Sequence, residues 1–149
     1  MKVTSPLVSA GVVAGFFFAT TSVAFLAADA AHERHEAMEA VGDAFKPLAG
    51  IAKKETPFDA ALVEKNAGVV VLNLEKASKL FVEGTGGGDS RAKPEIWTDK
   101  AAFDKAMSDG IAAAKALQAV KDEAAFGPAF RAVGASCKAC HDKYRAPKK

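Results

Sequence analysis

Cysteine is nearly absent from this 149-residue chain: there are two, Cys137 and Cys140, three positions apart near the C-terminal end. So few thiols exclude a disulfide-stapled scaffold, because a bridge between such close neighbours closes a tiny loop and constrains nothing else. A zinc site would need a second ligand pair, for which the chain offers only His32 and His35 and no further cysteine. An excess of one charge is missing as well. Twenty basic residues face eighteen acidic ones, a net of +2, and this balance gives no reason to expect nucleic acid or an anionic membrane as a partner. The one basic concentration is the tail Lys143, Arg145, Lys148 and Lys149, which suits a solvated helix C-terminus. Runs of alternating β-branched residues do not occur, so a thioredoxin-like redox pair lacks the βαβ setting it needs. The run Gly84-Thr85-Gly86-Gly87-Gly88-Asp89-Ser90 has no strand before it and no Gly-Lys-Ser/Thr after it. That excludes a phosphate-binding loop and leaves a link between antiparallel helices.

What is present begins with an export signal over residues 1–30. Lys2 gives a positive start, and Leu7 to Phe18 is apolar apart from Ser9 and two glycines. Small residues then accumulate, with cleavage patterns at Ser22-Val23-Ala24 and Ala28-Asp29-Ala30. An uncleaved anchor is the alternative, since Leu7 to Ala28 approaches the roughly 20 residues that span a bilayer. The run is diluted by Thr20, Thr21 and Ser22 and lacks a basic stop-transfer cluster, so cleavage is favoured, leaving residues 31–149 as one domain with no membrane association. Removing residues 1–30 takes away Lys2 and Asp29, and the net charge stays at +2.

Over the remainder, alanine is abundant and apolar residues recur at three and four positions, which predicts four amphipathic helices. The first covers about Ala31 to Lys53, with Met38, Val41, Phe45, Leu48 and Ala52 on one stripe and Pro47 predicting a bend. Thr56-Pro57 opens the second, presenting Leu62, Val69, Leu72 and Leu80–Phe81, with Asn66-Ala67-Gly68 weakening its middle. Thr98-Asp99 caps the third, whose stripe is Phe103, Met107, Ile111, Ala114 and Leu117. The fourth starts around Asp122-Glu123 and carries Phe126, Phe130, Val133, Cys137, His141 and Tyr144, with Pro128 and Gly134 as sites of bending. Four such helices predict an all-α antiparallel four-helix bundle.

Cys137-Lys138-Ala139-Cys140-His141 is a C-x-x-C-H sequence and reads as the attachment site of one covalent haem c. The cysteines project from neighbouring helical turns and match the two vinyl groups along one porphyrin edge, and His141 follows as axial ligand to the iron. The sixth position of the iron is open to three readings. Met38, a soft thioether on an inward stripe, is the favoured ligand, although a methionine there also serves as pliable core, and Met107 shares that ambiguity. The site is otherwise empty, or filled by His32 or His35, whose neighbours Glu33, Arg34 and Glu36 suggest a solvated turn.

The segments from Gly134 to Arg145 and from Pro94 to Trp97, together with Arg34, Met38 and Phe45-Lys46-Pro47-Leu48, resemble the class II cytochromes c: the cytochrome c' family and its low-spin c-556 type. The attachment motif lying at the C-terminal end is part of the likeness. The resemblance implies haem lodged between the helices of a four-helix bundle, often a homodimer, with Met38 at the distal position. There a methionine either binds the iron or lines an open site that admits nitric oxide or carbon monoxide. It further implies haem contacts by Arg34, His35, Phe81, Asp89 and Arg145. His35 departs from the glutamine common at its position. A guanidinium beside buried propionates has its own rationale in bidentate pairing.

The sequence therefore favours a periplasmic electron carrier, not an enzyme, cycling one electron at a His/Met-ligated haem and meeting redox partner proteins transiently. The alternative is a five-coordinate haem protein that binds a diatomic gas. A peroxidase would need a distal acid–base group, for which only His35 could be offered.

Overall fold

Three aspartates set where helices begin. In the computed structural model, which describes residues 20–87 and 90–148, the Asp59 carboxylate accepts from the amides of Ala61 and Leu62 at 2.8 and 3.1 Å and starts α2 (Ala60–Ser78). Asp99 accepts from Ala102 and starts α4 (Lys100–Gln118), and Asp122 accepts from Ala125 and starts α5 (Glu123–Tyr144). Each cap satisfies a helix-end amide and contributes about 1 kcal/mol. α1 (Thr20–Ala52) precedes them, and a single turn, α3 (Glu95–Thr98), sits in the long α2–α4 connection. The described chain is all-helical, a four-helix bundle with α3 as an added turn.

Several boundaries differ from the sequence expectation. α1 begins eleven residues before Ala31 and runs through both cleavage candidates at Ala24 and Ala30; the remaining signal residues, 1–19, lie outside the described ones. α2 does not open at Pro57, because the Asp59 carboxylate captures two amides further on. It also stops at Ser78, so Leu80–Phe81 belongs to the connection. Its buried face is Val63, Ala67, Val70, Val71, Leu74 and Ala77, whereas Leu72 is 67% exposed. Of the expected stripe, Leu62 and Val69 flank this face, partly buried against the core, and Leu72 does not reach it. Asn66-Ala67-Gly68 does not interrupt the helix: the Asn66 amide donates to the Leu62 carbonyl, and Ala67 is fully buried. Ala52 is exposed at the end of α1. α1 and α5 continue through Pro47 and Pro128. Among the described residues no helix is long and apolar enough to cross a membrane.

Neighbouring helices pack along their lengths in the order α1–α2–α4–α5, but α1 and α5 scarcely meet. The core is split accordingly. One cluster lies at the end where α1 and α5 gape, with Phe103 at its centre, edge-to-face against Phe81 at 4.6 Å and Tyr144 at 5.1 Å. The other lies at the far end, around Leu48, Val63, Leu117 and Phe126, and is extended by the stack Phe45–Phe130–Phe126. Phe45 touches both. Two glycines allow close approach: a Cβ on Gly110 would stand 3.2 Å from Ser136 Oγ where α4 crosses α5, and one on Gly86 would meet the Trp97 ring at 2.5 Å.

Candidate functional site

Residues three and four apart share one face of a helix, and α5 uses this to bring Cys137, Cys140 and His141 together into a recess open to solvent. The other three long helices complete it: Met38 and Val41 come from α1, Leu74 from α2, and Ala106, Met107 and Gly110 from α4. Ser136 supplies the one hydroxyl of the lining. Every contribution from α1, α2 and α4 is apolar, and the recess lies where α1 and α5 fail to close on each other.

The donor chemistry suits a covalent haem. Both cysteines are free and half-buried. Burial pushes both thiols above the ordinary cysteine value; at Cys140, Cys137 adds to this and Arg145 opposes it. His141 is pulled the other way. Burial lowers its pKa first, the positive charges of Arg145 and Arg91 lower it further, and Asp142 works against them. These shifts favour the neutral imidazole, the form in which it ligates a metal.

Arg34 is 5% exposed and one helical turn before Met38. It donates to four oxygens of the α2–α4 connection: the Leu80 carbonyl at 2.7 Å, the Thr85 hydroxyl and carbonyl at 2.6 Å each, and the Ser90 hydroxyl at 3.2 Å. Its guanidinium also lies 4.8 Å over the Phe81 ring. All four acceptors are neutral, and among the described residues no carboxylate pairs with it. A buried cation compensated only by dipoles has its pKa lowered by burial. It has a charge to offer an anionic group such as a propionate.

The other expected residues are spread out. His35 is in solvent, with Nε2 3.2 Å from Glu39 on the next turn, and His32 stands likewise 3.4 Å from Glu36; neither lines the recess. Met107 does line it and is buried, while Met38 is partly buried against the same core cluster. Phe81 packs between Arg34 and Phe103. Arg145 ends α5, exposed, with its amide donating to the His141 carbonyl at 3.0 Å. Asp89 lies outside the described residues. Sequence reasoning missed Leu74, Ala106, Gly110 and Ser136, small or ordinary residues that only the helix crossing brings to the recess.

Comparison with known proteins agrees with this geometry. The model of the Cytochrome C' family matches residues 29–145. A cytochrome c' of Rhodopseudomonas palustris is 36% identical over 138 residues, covering 91% of this chain and 94% of its own. A solved structure of cytochrome c' from Rhodopseudomonas palustris superposes with a TM-score of 0.76 at 38% identity, covering 81% of this chain and 98% of that one. A nitric oxide complex of a mutant cytochrome c prime from Alcaligenes xylosoxidans superposes equally well, with a TM-score of 0.76 at 34% identity and coverage of 82% and 97%. These relatives are named as cytochromes, in keeping with a haem protein that is not an enzyme. The chain belongs to the cytochrome c' family and is a mono-haem c-type cytochrome with one covalent haem.

Proposed function

We propose that this chain is an exported, periplasmic cytochrome that binds a diatomic gas, nitric oxide or carbon monoxide, at an open distal face of its haem. Cys137 and Cys140 would hold the haem through thioethers and His141 would ligate its iron. Met38, which lines the recess, would screen the iron as an apolar side chain without ligating it. When bound, the haem would supply the iron that takes up the gas.

One observation carries this reading: among the described residues, the parts of the recess built by α1, α2 and α4 contain no charged, hydroxyl or amide side chain. Such a wall excludes water and charged ligands and accepts a small neutral molecule. It also gives no group to act as a distal acid or base, which argues against a peroxidase. The nitric oxide complex of the Alcaligenes xylosoxidans relative supports the same choice. Arg34 balances the propionates from within the fold, and Phe81 lies beneath it.

The electron carrier favoured by the sequence becomes the second reading. Its specific support is that Met38 lines the recess, so a thioether is close at hand for a six-coordinate iron. Absorption spectra of the purified protein, ferric, ferrous and then under carbon monoxide, separate the two. A broad ferrous spectrum that shifts under carbon monoxide, and that Met38→Leu leaves unchanged, is expected. Sharp, separate α and β bands that ignore carbon monoxide, and that Met38→Leu abolishes, would return the protein to electron transfer.

A further inference from the structure

The last turn of α5 leaves carbonyls that its own helix cannot satisfy, and the structure satisfies them from another part of the chain. Lys93 Nζ donates to the Asp142 and Lys143 carbonyls at 3.3 and 3.0 Å, and the Lys93 amide donates to the Tyr144 carbonyl at 3.0 Å. Just beyond, Arg91 Nε and Nη2 both donate to the Ala146 carbonyl, at 2.8 and 2.6 Å, while the Ala146 amide returns a 2.8 Å bond to the Arg91 carbonyl. An antiparallel bridge between Ala92 and Arg145 lies between these two sets. Residues 91–93 thus form a clasp of six hydrogen bonds over the end of α5, and His141 is in the turn they hold.

The clasp has a fixed anchor of its own. It follows directly on the segment that Arg34 grips at Leu80, Thr85 and Ser90, and Trp97 Nε1 donates to the Val82 carbonyl of that same segment. The side chains of Arg91 and Lys93 are also spent on neutral carbonyls, while the carboxylate of Asp142, whose carbonyl Lys93 holds, pairs with Lys138 at 2.5 Å. Two cations placed at a helix C-terminus meet its negative dipole end and reinforce the cap.

We propose that Arg91 and Lys93 are positioning residues for the proximal ligand: by clasping the last turn of α5 they fix the direction of the His141 imidazole and so the strength of its bond to the iron. The inference rests on His141 being that ligand. Neither residue needs to touch the haem. Without the clasp the final turn frays, the imidazole tilts, and the bond weakens.

The test uses the haem-loaded ferrous protein, reading the iron–histidine stretching band by resonance Raman spectroscopy and the exchange of the Arg145 amide, whose bond to the His141 carbonyl reports fraying. Arg91→Gln and Lys93→Met are expected to raise that exchange at least tenfold and to move the band to lower frequency. Ala146→Pro changes no charge and removes only the Ala146 N–H bond to Arg91; Arg145 is already extended, as a residue before proline prefers. It is expected to move the band in the same direction. Arg91→Lys, which keeps the charge but loses the two-pronged grip, serves the same purpose if Ala146→Pro does not fold. Faster exchange with an unmoved band overturns the inference, and so does unchanged exchange. A band that moves only when charge is removed also overturns it, because the effect would then be a field and not a position. Absence of any iron–histidine band in the unaltered protein would instead overturn the ligand assignment on which the inference rests.

Discussion

Replacing Arg34 with methionine keeps most of the side-chain volume and removes every polar contact the guanidinium makes. The Leu80 and Thr85 carbonyls lose their bonds of 2.7 and 2.6 Å, and a buried acceptor left without a partner costs about 1–3 kcal/mol. The Thr85 hydroxyl is less affected, since it keeps its own bond to the Val82 carbonyl at 2.6 Å. The cation over Phe81 is lost as well, worth about 0.5–2 kcal/mol. Against these losses, a buried charge whose pKa burial already lowers no longer has to be desolvated. The net is a destabilisation of about 3 kcal/mol. For a domain of this size that lowers Tm by about 12 °C. Thermal unfolding of the haem-loaded protein followed by far-UV circular dichroism measures it, and amide exchange over residues 80–87 should rise together with the loss. Arg34→Lys retains the charge, but one ammonium cannot serve four separated oxygens, so it should recover less than half. A fall in Tm below about 3 °C for Arg34→Met, with exchange over the connection unchanged, would refute the reasoning that this side chain holds the connection in place.

Phe103, 1% exposed and flanked edge-to-face by Phe81 and Tyr144, should cost about 3–5 kcal/mol on truncation to alanine, read from urea unfolding midpoints. Leu72→Ser should change stability by no more than about 0.5 kcal/mol, because that leucine is in solvent; a large loss would put it back on the buried stripe. Asp122→Ala removes the cap of α5 and should cost about 1 kcal/mol in the same assay. Glu75 is held below its ordinary value of 4.5, chiefly by its hydrogen bond from Lys115. The unfolded chain therefore takes up its proton more readily, and the pair's contribution, full above the ordinary value, is lost as pH falls through the lowered one. Glu75→Gln should accordingly differ from the parent in Tm at pH 7 and converge with it as the pH falls well below 4.5.

How far the sequence could be read depended on whether local chemistry alone decides the outcome. Asp99 and Asp122 were legible as helix starts because a cap acts within its own turn. The stripe of α4 and the grouping of Cys137 with His141 were legible because helical spacing enforces them. α2 was harder. Val69-Val70-Val71-Leu72 is apolar all round, so periodicity alone does not say which of the four faces inward, and the two alanines that settle it, Ala67 and Ala77, are too small to weigh in a pattern. Thr56-Pro57 drew the start of that helix away from Asp59, whose carboxylate reaches two amides at once. The grip of Arg34 and the clasp of Arg91 and Lys93 were out of reach, because they join residues about fifty positions apart through carbonyls that carry no side-chain signature.

The split core has a consequence for how such a protein changes over generations. Apart from Cys137 at the boundary, no residue of the recess belongs to the far-end cluster of Leu48, Val63, Leu117 and Phe126. Substitutions around the recess therefore act first on one cluster and reach the other only through Phe45 and Cys137. A lineage can try new side chains at Met38 or Met107 and still keep four helices standing, because the half of the bundle that secures them takes little part in the experiment.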